Sequence, residues 1–184
     1  MASVLIPLAE GCEELEAVTL IDLLRRAGIT VTTASLSETL QLRASRQVGL
    51  VADTLLDTVV NDEFDMLLLP GGQPGTSHLN ADSRIHALIR RLNKADKFIA
   101  AICAAPLVLA ESGVLNGKRV TCYPGTLDAE TWTEIHICDD AVVIDNNVLT
   151  SRGPGTAMDF ALAIIELLTD KATRDQVETG LVRP

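Results

Sequence analysis

Aromatic residues are scarce in this sequence: they make up 3% of its 184 residues and include a single Trp and a single Tyr. Any core must therefore be built from aliphatic side chains, and hydrophobic residues account for 47% of the chain. Aliphatic strands packed under helices are typical of α/β proteins with a largely parallel sheet. The composition favours that class, and the length predicts a single domain over residues 1–184.

Positive charge is also in short supply, since 15 Lys and Arg residues stand against 25 Asp and Glu residues, for a net charge of −10. A nucleic-acid-binding surface needs concentrated Lys and Arg to contact the phosphates. The basic pairs Arg25–Arg26 and Arg90–Arg91 lie in helical patterns, where we interpret them as solvated helix faces. The charge balance argues against nucleic acid as a specific partner.

Long apolar runs are absent, because no stretch reaches the ~18–20 residues of a membrane helix. The first residues, MASVLIPLAEGCEELEA, lack the basic start and the small-residue cleavage site of a signal peptide. We therefore expect a cytoplasmic protein with no membrane partner. The four cysteines are expected to be free thiols, and because their spacing matches no zinc pattern, no metal is expected. They are Cys12, Cys103, Cys122 and Cys138.

Strand-like and helix-like patterns alternate along most of the chain, which predicts a parallel sheet with helices on both faces. Strands are predicted at residues 3–9, 30–35, 46–53, 64–72, 97–103 and 118–123, followed by a pair joined by a turn at Asn146–Asn147. Helices are predicted at residues 11–28, 82–95, 104–113, 155–168 and 171–181, with Asp82 as an N-cap. The apolar positions expected to share the buried face of the first helix are Leu15, Val18, Leu20, Leu23 and Leu24.

Ligands of open parallel sheets bind at the carboxyl ends of the strands, and two of the predicted strand ends carry unusual residues. In AEGCEELEA, Glu13 and Glu14 fit the first turn of a helix, where acids complement the helix dipole. Glu16 lies at the start of the apolar stretch, so it is a candidate for an inward-facing carboxyl group. In LLLPGGQPG, Gly71 and Gly72 permit a sharp turn with exposed N–H groups. They form either half of an oxyanion hole or an ordinary strand-to-helix turn.

A third strand end, AAICAAP, places Cys103 where a strand becomes a helix, with Pro106 suited to the first helical turn. A nucleophile on such an elbow stands at the sheet edge among backbone N–H groups. The helix N-terminus is expected to lower the pKa of the thiol. The alternative is a buried spectator, because free cysteine is among the most buried residue types.

The motifs EELEAV, LPGG, AAICAAP and TSRGPGTAMDFALAI occur in the order and spacing of the ThiJ/PfpI superfamily, which the chain resembles from residue 3 to residue 168. The most similar branch holds the parkinsonism-associated protein deglycase and the bacterial YajL-like proteins. The resemblance implies a flavodoxin-like sandwich, usually a homodimer, that uses no metal or organic cofactor. It also implies a nucleophilic Cys103, a Glu16 that shares a proton with it, and an oxyanion pocket formed by the N–H groups of Gly72 and Ala104.

The resemblance extends to residues around this site. Arg26 and Arg46 match arginines near the site and the dimer contact, and Gly71 belongs to the same glycine pair. Many members of the superfamily carry a histidine before the proline in the strand after the nucleophile helix, but here VTCYP places Tyr123 there. Because an unperturbed tyrosine has a pKa of about 10, a Cys–His peptidase or amidase is the least favoured function.

The function that the resemblance implies is a cysteine-dependent deglycase or glyoxalase-type hydrolase with a role in stress protection. Its substrates would be methylglyoxal, glyoxal, and their early adducts on proteins or nucleotides. The alternative is a redox-responsive chaperone or sensor with unfolded clients, in which Cys103 is oxidised. Cys122 adjoins Tyr123, so it is a candidate resolving thiol if its Cα atom lies within about 7 Å of that of Cys103.

Overall fold

The computed structural model describes residues 1–183. The strands are β1 Ser3–Leu8, β2 Thr30–Ser35, β3 Gln41–Arg43, β4 Gly49–Val51, β5 Thr54–Leu55, β6 Met66–Leu69, β7 Phe98–Ile102, β8 Arg119–Val120, β9 His136–Ile137, β10 Val142–Asp145 and β11 Val148–Ser151. The helices are α1 Glu14–Arg26, α2 Leu56–Val59, α3 Gly75–Ala81, α4 Ser83–Lys94, α5 Pro106–Glu111, α6 Ala157–Leu168 and α7 Lys171–Gly180, with a 3-10 turn at Pro154–Thr156.

A seven-stranded sheet forms the centre of the protein, in the order β10-β11-β7-β6-β1-β2-β5. All neighbouring pairs are parallel except β10 and β11, which form an antiparallel hairpin at one edge. The strand order reverses at β1, because the chain continues to β2 on one side and later returns to β6 on the other. The carboxyl ends of β1, β6 and β7 therefore lie side by side, at the place where such sheets bind ligands.

Helices cover both faces of this sheet and bury two aliphatic cores. One core lies under α1 and α6 and contains Leu20 and Phe160. The other lies under α3, α4 and α5 and contains Leu79, Leu88 and Val108. The mostly parallel α/β sandwich predicted from the alternating sequence pattern is therefore confirmed.

The predicted buried face of α1 is wrong at two positions, because Leu15 and Val18 are 52% and 48% exposed. Residues four apart lie on the same face of a helix, and α1 turns the face of Glu16 and Leu20 towards α6 and the sheet. The buried residues of α1 are Glu16, Ala17, Leu20, Leu23 and Leu24. The stripe that the helix buries thus begins with a carboxyl group.

The strand predicted at residues 46–53 is shorter than expected, and it does not join the central sheet. Residues 49–51 pair antiparallel with residues 41–43, so that β3 and β4 form a separate hairpin. The sequence analysis also missed α3, whose residues follow the glycine turn directly. Asp82 is the N-cap of α4, as predicted, and its side chain accepts a hydrogen bond from the N–H of Arg84.

Candidate active site

Glu16 is fully buried where the first turn of α1 faces the end of β6. Its Oε2 accepts a hydrogen bond of 2.9 Å from the N–H of Gly71. A Cβ atom on Gly71 would lie 2.9 Å from that Oε2 and 2.7 Å from the Cβ of Cys103. The missing side chain at position 71 therefore lets the carboxyl group and the cysteine approach the same point.

Cys103 occupies a sharp elbow between β7 and α5, with a φ of 64°. This left-handed conformation is uncommon for a residue with a side chain, and strained residues of this kind persist only where their surroundings hold them. Here the N–H of Cys103 donates to the carbonyl of Ser151 at 2.9 Å, and its carbonyl accepts from the N–H of Tyr123 at 2.7 Å. The elbow is thus fixed from two neighbouring segments, as the strand-end position predicted.

Two backbone N–H groups, those of Gly72 and Ala104, interact with the sulfur of Cys103 and act to lower its pKa. Gly72 has a φ of 90°, and a Cβ atom there would lie 2.4 Å from the backbone nitrogen of Glu13. A side chain at this position would therefore meet both backbone strain and a steric clash. The geometry fits an oxyanion pocket whose two donors come from different strand ends.

Burial and the interaction between the two groups determine the pKa values of Glu16 and Cys103. Burial raises the pKa of Glu16 to about 7, and its Oε1 has no hydrogen-bond partner within residues 1–183. Burial and the Glu16 carboxylate raise the pKa of Cys103 to about 12. The expected lowering of the thiol pKa by the helix N-terminus is therefore outweighed, although the two amides oppose the rise. The two groups titrate as a unit, and one negative charge is shared between them above neutral pH.

Three other predicted site residues lie at different distances from this pair. Tyr123 is bonded to the elbow through its backbone, and its side chain is half exposed. Arg46 is exposed, and its N–H donates to Glu14 Oε1 at 2.8 Å, close to the first turn of α1. Arg26 is not brought to the site: it lies ten residues after Glu16, about 15 Å along the helix, where it pairs with Asp22.

Cys122, the candidate resolving thiol, packs into a different core from Cys103. Cys122 belongs to the cluster under α4 and α5, whereas Cys103 belongs to the cluster under α1 and α6. The two side chains pack into separate cores on opposite faces of the sheet, which does not favour a contact between the thiols, and the pairing stays a prediction. Burial raises the pKa of Cys122, which further disfavours a reactive thiolate there.

Two residues of the segment TSRGPGT support the site and were given no role in the sequence analysis. The carbonyl of Ser151 anchors the N–H of Cys103. Gly153 lies against the ring of Tyr123, whose Cδ2 would lie 3.4 Å from a Cβ atom at that position. The occurrence of this segment in a superfamily motif is a signal that could have identified both.

The structure also contains an open groove of about 550 Å³ that does not include Cys103. It lies beside the ends of β1 and β2, and its polar lining residues are Glu10, Ser37, His78, Asp82, Ser83 and Arg84. Within residues 1–183, no cluster of three or more His, Cys, Asp or Glu is arranged to hold a metal ion. Among the same residues, no helix combines the length and the hydropathy needed to cross a bilayer.

Comparison with known proteins shows that many sequences and solved structures are similar to this chain. The sequence model of the DJ-1/PfpI family matches residues 2–167. Protein dj-1beta of Drosophila melanogaster is 43% identical over 180 residues, which cover 98% of this chain and 96% of that protein. Glutathione-independent glyoxalase DJR-1.2 of Caenorhabditis elegans is 40% identical over 167 residues, which cover 91% and 88%.

Solved structures agree with the sequence comparison. The crystal structure of Drosophila melanogaster DJ-1beta superposes with a TM-score of 0.93 at 42% identity and covers 100% of this chain and 98% of that one. A structure described as Toxoplasma gondii DJ-1, oxidized, superposes with a TM-score of 0.92 at 36% identity and covers 99% and 98%. The flavodoxin-like fold expected from the sequence is therefore confirmed.

Proposed function

Because the chain belongs to the DJ-1/PfpI family, we propose that it is a glyoxalase-type hydrolase with Cys103 as its nucleophile. Its substrates are methylglyoxal, glyoxal and their early adducts on amines and thiols. The observation that carries this proposal is the contact between three strand ends: a thiol on a strained elbow, a buried carboxyl group, and two N–H groups. A relative named as a glutathione-independent glyoxalase, 40% identical to this chain, supports the same reaction class.

The first chemical step is the addition of sulfur to the aldehyde carbon. The Glu16 carboxylate takes the thiol proton as the carbon–sulfur bond forms, and the electron pair of the C=O bond moves to the oxygen. The N–H groups of Gly72 and Ala104 hold the developing oxyanion, which is where preorganised donors lower the barrier. Protonated Glu16 then returns the proton to that oxygen, and the product is a neutral hemithioacetal.

The second step moves hydrogen between the two carbons of the substrate. The Glu16 carboxylate removes the C1 hydrogen as a proton and delivers it to C2 through an enediol, so that C1 is oxidised and C2 is reduced. The product is a thioester of Cys103 with a 2-hydroxy acid. Water hydrolyses the thioester, which releases lactate from methylglyoxal or glycolate from glyoxal and restores the thiol. A carboxyl group with a pKa near 7 suits both directions of proton transfer at neutral pH.

Early adducts of the dicarbonyls enter the same series of reaction steps after one additional bond, that to the amine or thiol, is broken. In an early adduct, an amine or thiol is attached to the former aldehyde carbon, which also carries a hydroxyl group. The Glu16 carboxylate takes the proton of the Cys103 thiol as the sulfur displaces that amine or thiol, and protonated Glu16 then gives this proton to the group that leaves. The enzyme-bound hemithioacetal is then identical to the one formed from the free dicarbonyl.

The test is the appearance of lactate from methylglyoxal, followed by proton NMR in the purified protein. We expect Cys103→Ser to abolish the reaction. Glu16→Gln should lower kcat by about 10²–10⁴-fold, because the amide keeps the acceptor for the Gly71 N–H but cannot transfer a proton. Wild-type turnover in Glu16→Gln would refute the role of Glu16, and turnover in Cys103→Ser would refute the nucleophile.

A second candidate function, redox sensing, has one observation in its favour. The N–H groups and the carboxyl group that surround Cys103 are the donors that a sulfinate would need, and a similar structure is described as oxidized. Two equivalents of peroxide would convert the thiolate to a sulfinate and release two waters. Suppression of client aggregation only after peroxide treatment, with no lactate formed by the untreated protein, would favour the sensor over the glyoxalase.

The exposed apolar residues of α1 and of the neighbouring hairpin support a further proposal, that two copies of the chain associate. Leu15 and Val18 on α1 and Val48 and Val51 in the hairpin segment are large apolar side chains at the surface. Equilibrium sedimentation should give twice the mass of the chain for the wild type. A dimer that persists at the same affinity in Val18→Lys would contradict this placement of the contact.

A further inference from the structure

Tyr123 is the only tyrosine of the sequence, and its backbone is hydrogen-bonded to the elbow that carries Cys103. Its N–H donates to the carbonyl of Cys103 at 2.7 Å, so its side chain originates directly beside the nucleophile. The ring is 52% exposed, whereas Cys103 is 8% exposed. A large ring therefore stands partly in solvent next to a thiol that is accessible only over a small area.

Gly153 lies beside this ring. A Cβ atom on Gly153 would be 3.4 Å from Cδ2 of Tyr123, so one edge of the ring faces the backbone of residue 153. The φ of Gly153 is 167°, an extended conformation that any residue adopts. The backbone does not require glycine at this position, and a Cβ atom there would make an ordinary van der Waals contact with the tyrosine ring.

The same segment ties the ring to the elbow. Ser151, two residues before Gly153, accepts the N–H of Cys103. Arg152, between them, is ion-paired with Asp139 at 2.6 Å, so its charge is already balanced. The ring thus starts from backbone that is bonded to the elbow and reaches the turn at residues 152–154.

We propose that the ring of Tyr123 is a specificity-determining wall for the glyoxalase reaction, and this inference rests on the proposed function. An α-oxoaldehyde bound through C1 to Cys103 carries one substituent on C2: hydrogen in glyoxal, methyl in methylglyoxal, phenyl in phenylglyoxal. The ring contacts that substituent and favours an apolar or aryl group. Contacts between aromatic rings correspond to about a 3- to 10-fold preference beyond simple burial.

The first experiment compares kcat/KM for phenylglyoxal and for glyoxal in the wild type, Tyr123→Phe and Tyr123→Ala. Because the two aldehydes differ in intrinsic reactivity, the informative quantity is the change in their ratio between variants. We expect Tyr123→Ala to lower the phenylglyoxal-to-glyoxal ratio about 3- to 10-fold, mainly through a higher KM for phenylglyoxal. Tyr123→Phe keeps the ring and should keep the ratio.

Two results would overturn the proposal. If Tyr123→Ala has the wild-type ratio, the ring does not contact the substituent. If Tyr123→Phe loses the preference to the same extent as Tyr123→Ala, the hydroxyl group and not the ring is responsible. The far-ultraviolet circular dichroism and the urea midpoint of each variant establish that the fold is intact, as expected for a half-exposed side chain.

A second measurement tests the role of the Tyr123 ring independently of the proposed glyoxalase activity, because it needs no turnover. The rates at which iodoacetamide and N-benzyl iodoacetamide alkylate Cys103 are compared by mass spectrometry of the Cys103 peptide. We expect the ratio of benzyl to unsubstituted reagent to fall about 3- to 10-fold in Tyr123→Ala and to be kept in Tyr123→Phe. A ratio that depends on the ring in a protein without glyoxalase turnover would support the wall and refute the function. Turnover with no dependence of either ratio on Tyr123 would refute the wall alone.

Discussion

Replacing Gly71 with alanine should damage the site more than the fold. The added Cβ would lie 2.7 Å from the Cβ of Cys103, 2.8 Å from the carbonyl oxygen of Ile102 and 2.9 Å from Oε2 of Glu16. None of these neighbours is the free end of a flexible surface side chain. The methyl group can be accommodated only if Glu16 and Cys103 move apart or the strand end shifts.

The size of the effect follows from the same distances. Ordinary carbon contacts lie at about 3.5–4.0 Å, so a shift of about 1 Å is needed. Overpacking of this kind destabilises a core by about 1–3 kcal/mol. A displacement of about 1 Å between reacting groups costs about 10²-fold in rate. We therefore expect a modest fall in the free energy of unfolding and a loss of most of the lactate formation.

Gly180→Ala is the matched control, because a Cβ atom on Gly180 would have no neighbour within 4 Å. Urea unfolding and lactate formation from methylglyoxal are measured for both variants. Gly180→Ala should keep the activity of the wild type within about twofold and should not lower its stability. If Gly71→Ala behaves in the same way as Gly180→Ala, the close approach of Glu16 and Cys103 at Gly71 is not required, and the reasoning fails.

Two further predictions concern stability. The pKa of Glu16 is raised from 4.5 to about 7 in the folded state, so the unfolded chain releases this proton first as the pH rises. The free energy of unfolding should therefore fall on the order of 3 kcal/mol between about pH 4.5 and pH 7. Urea midpoints across that range should fall less in Glu16→Gln, and an equal fall in the two proteins would contradict the raised pKa of Glu16. Asp82→Ala removes the N-cap of α4, whose carboxylate accepts a hydrogen bond from the N–H of Arg84 at 2.9 Å. The free energy of unfolding should therefore fall by about 1 kcal/mol. An unchanged urea midpoint would show that the cap is dispensable.

Position along the chain, together with the resemblance to a known superfamily, predicted the main residues of the candidate site. Cys103 and Gly72 end two of the predicted strands, and adjacent parallel strands place their carboxyl ends together. Glu16 was found because a carboxyl group begins an apolar stripe. These residues could be named from local pattern and resemblance because each one is tied to a strand end or to the first turn of a helix.

The properties that sequence could not supply depend on packing. The burial of Glu16, with the exposure of Leu15, is set by how α1 is rotated against α6. The thiol pKa depends on a carboxylate 87 positions earlier in the chain, and its effect together with burial exceeds that of the two amides. The position of Arg26 follows from helix length, since the far end of α1 lies about 15 Å from Glu16.

The measurement that tests the central claim most directly is the pH dependence of Cys103 alkylation by iodoacetamide, followed on the Cys103 peptide in the wild type and in Glu16→Gln. If the two groups share one proton, the wild-type profile should show a thiol pKa above the ordinary value of about 8.5 and an inflection near pH 7 from Glu16. Glu16→Gln should lower the thiol pKa and remove that inflection. Identical profiles in the two proteins would contradict the coupling on which the proposed function depends.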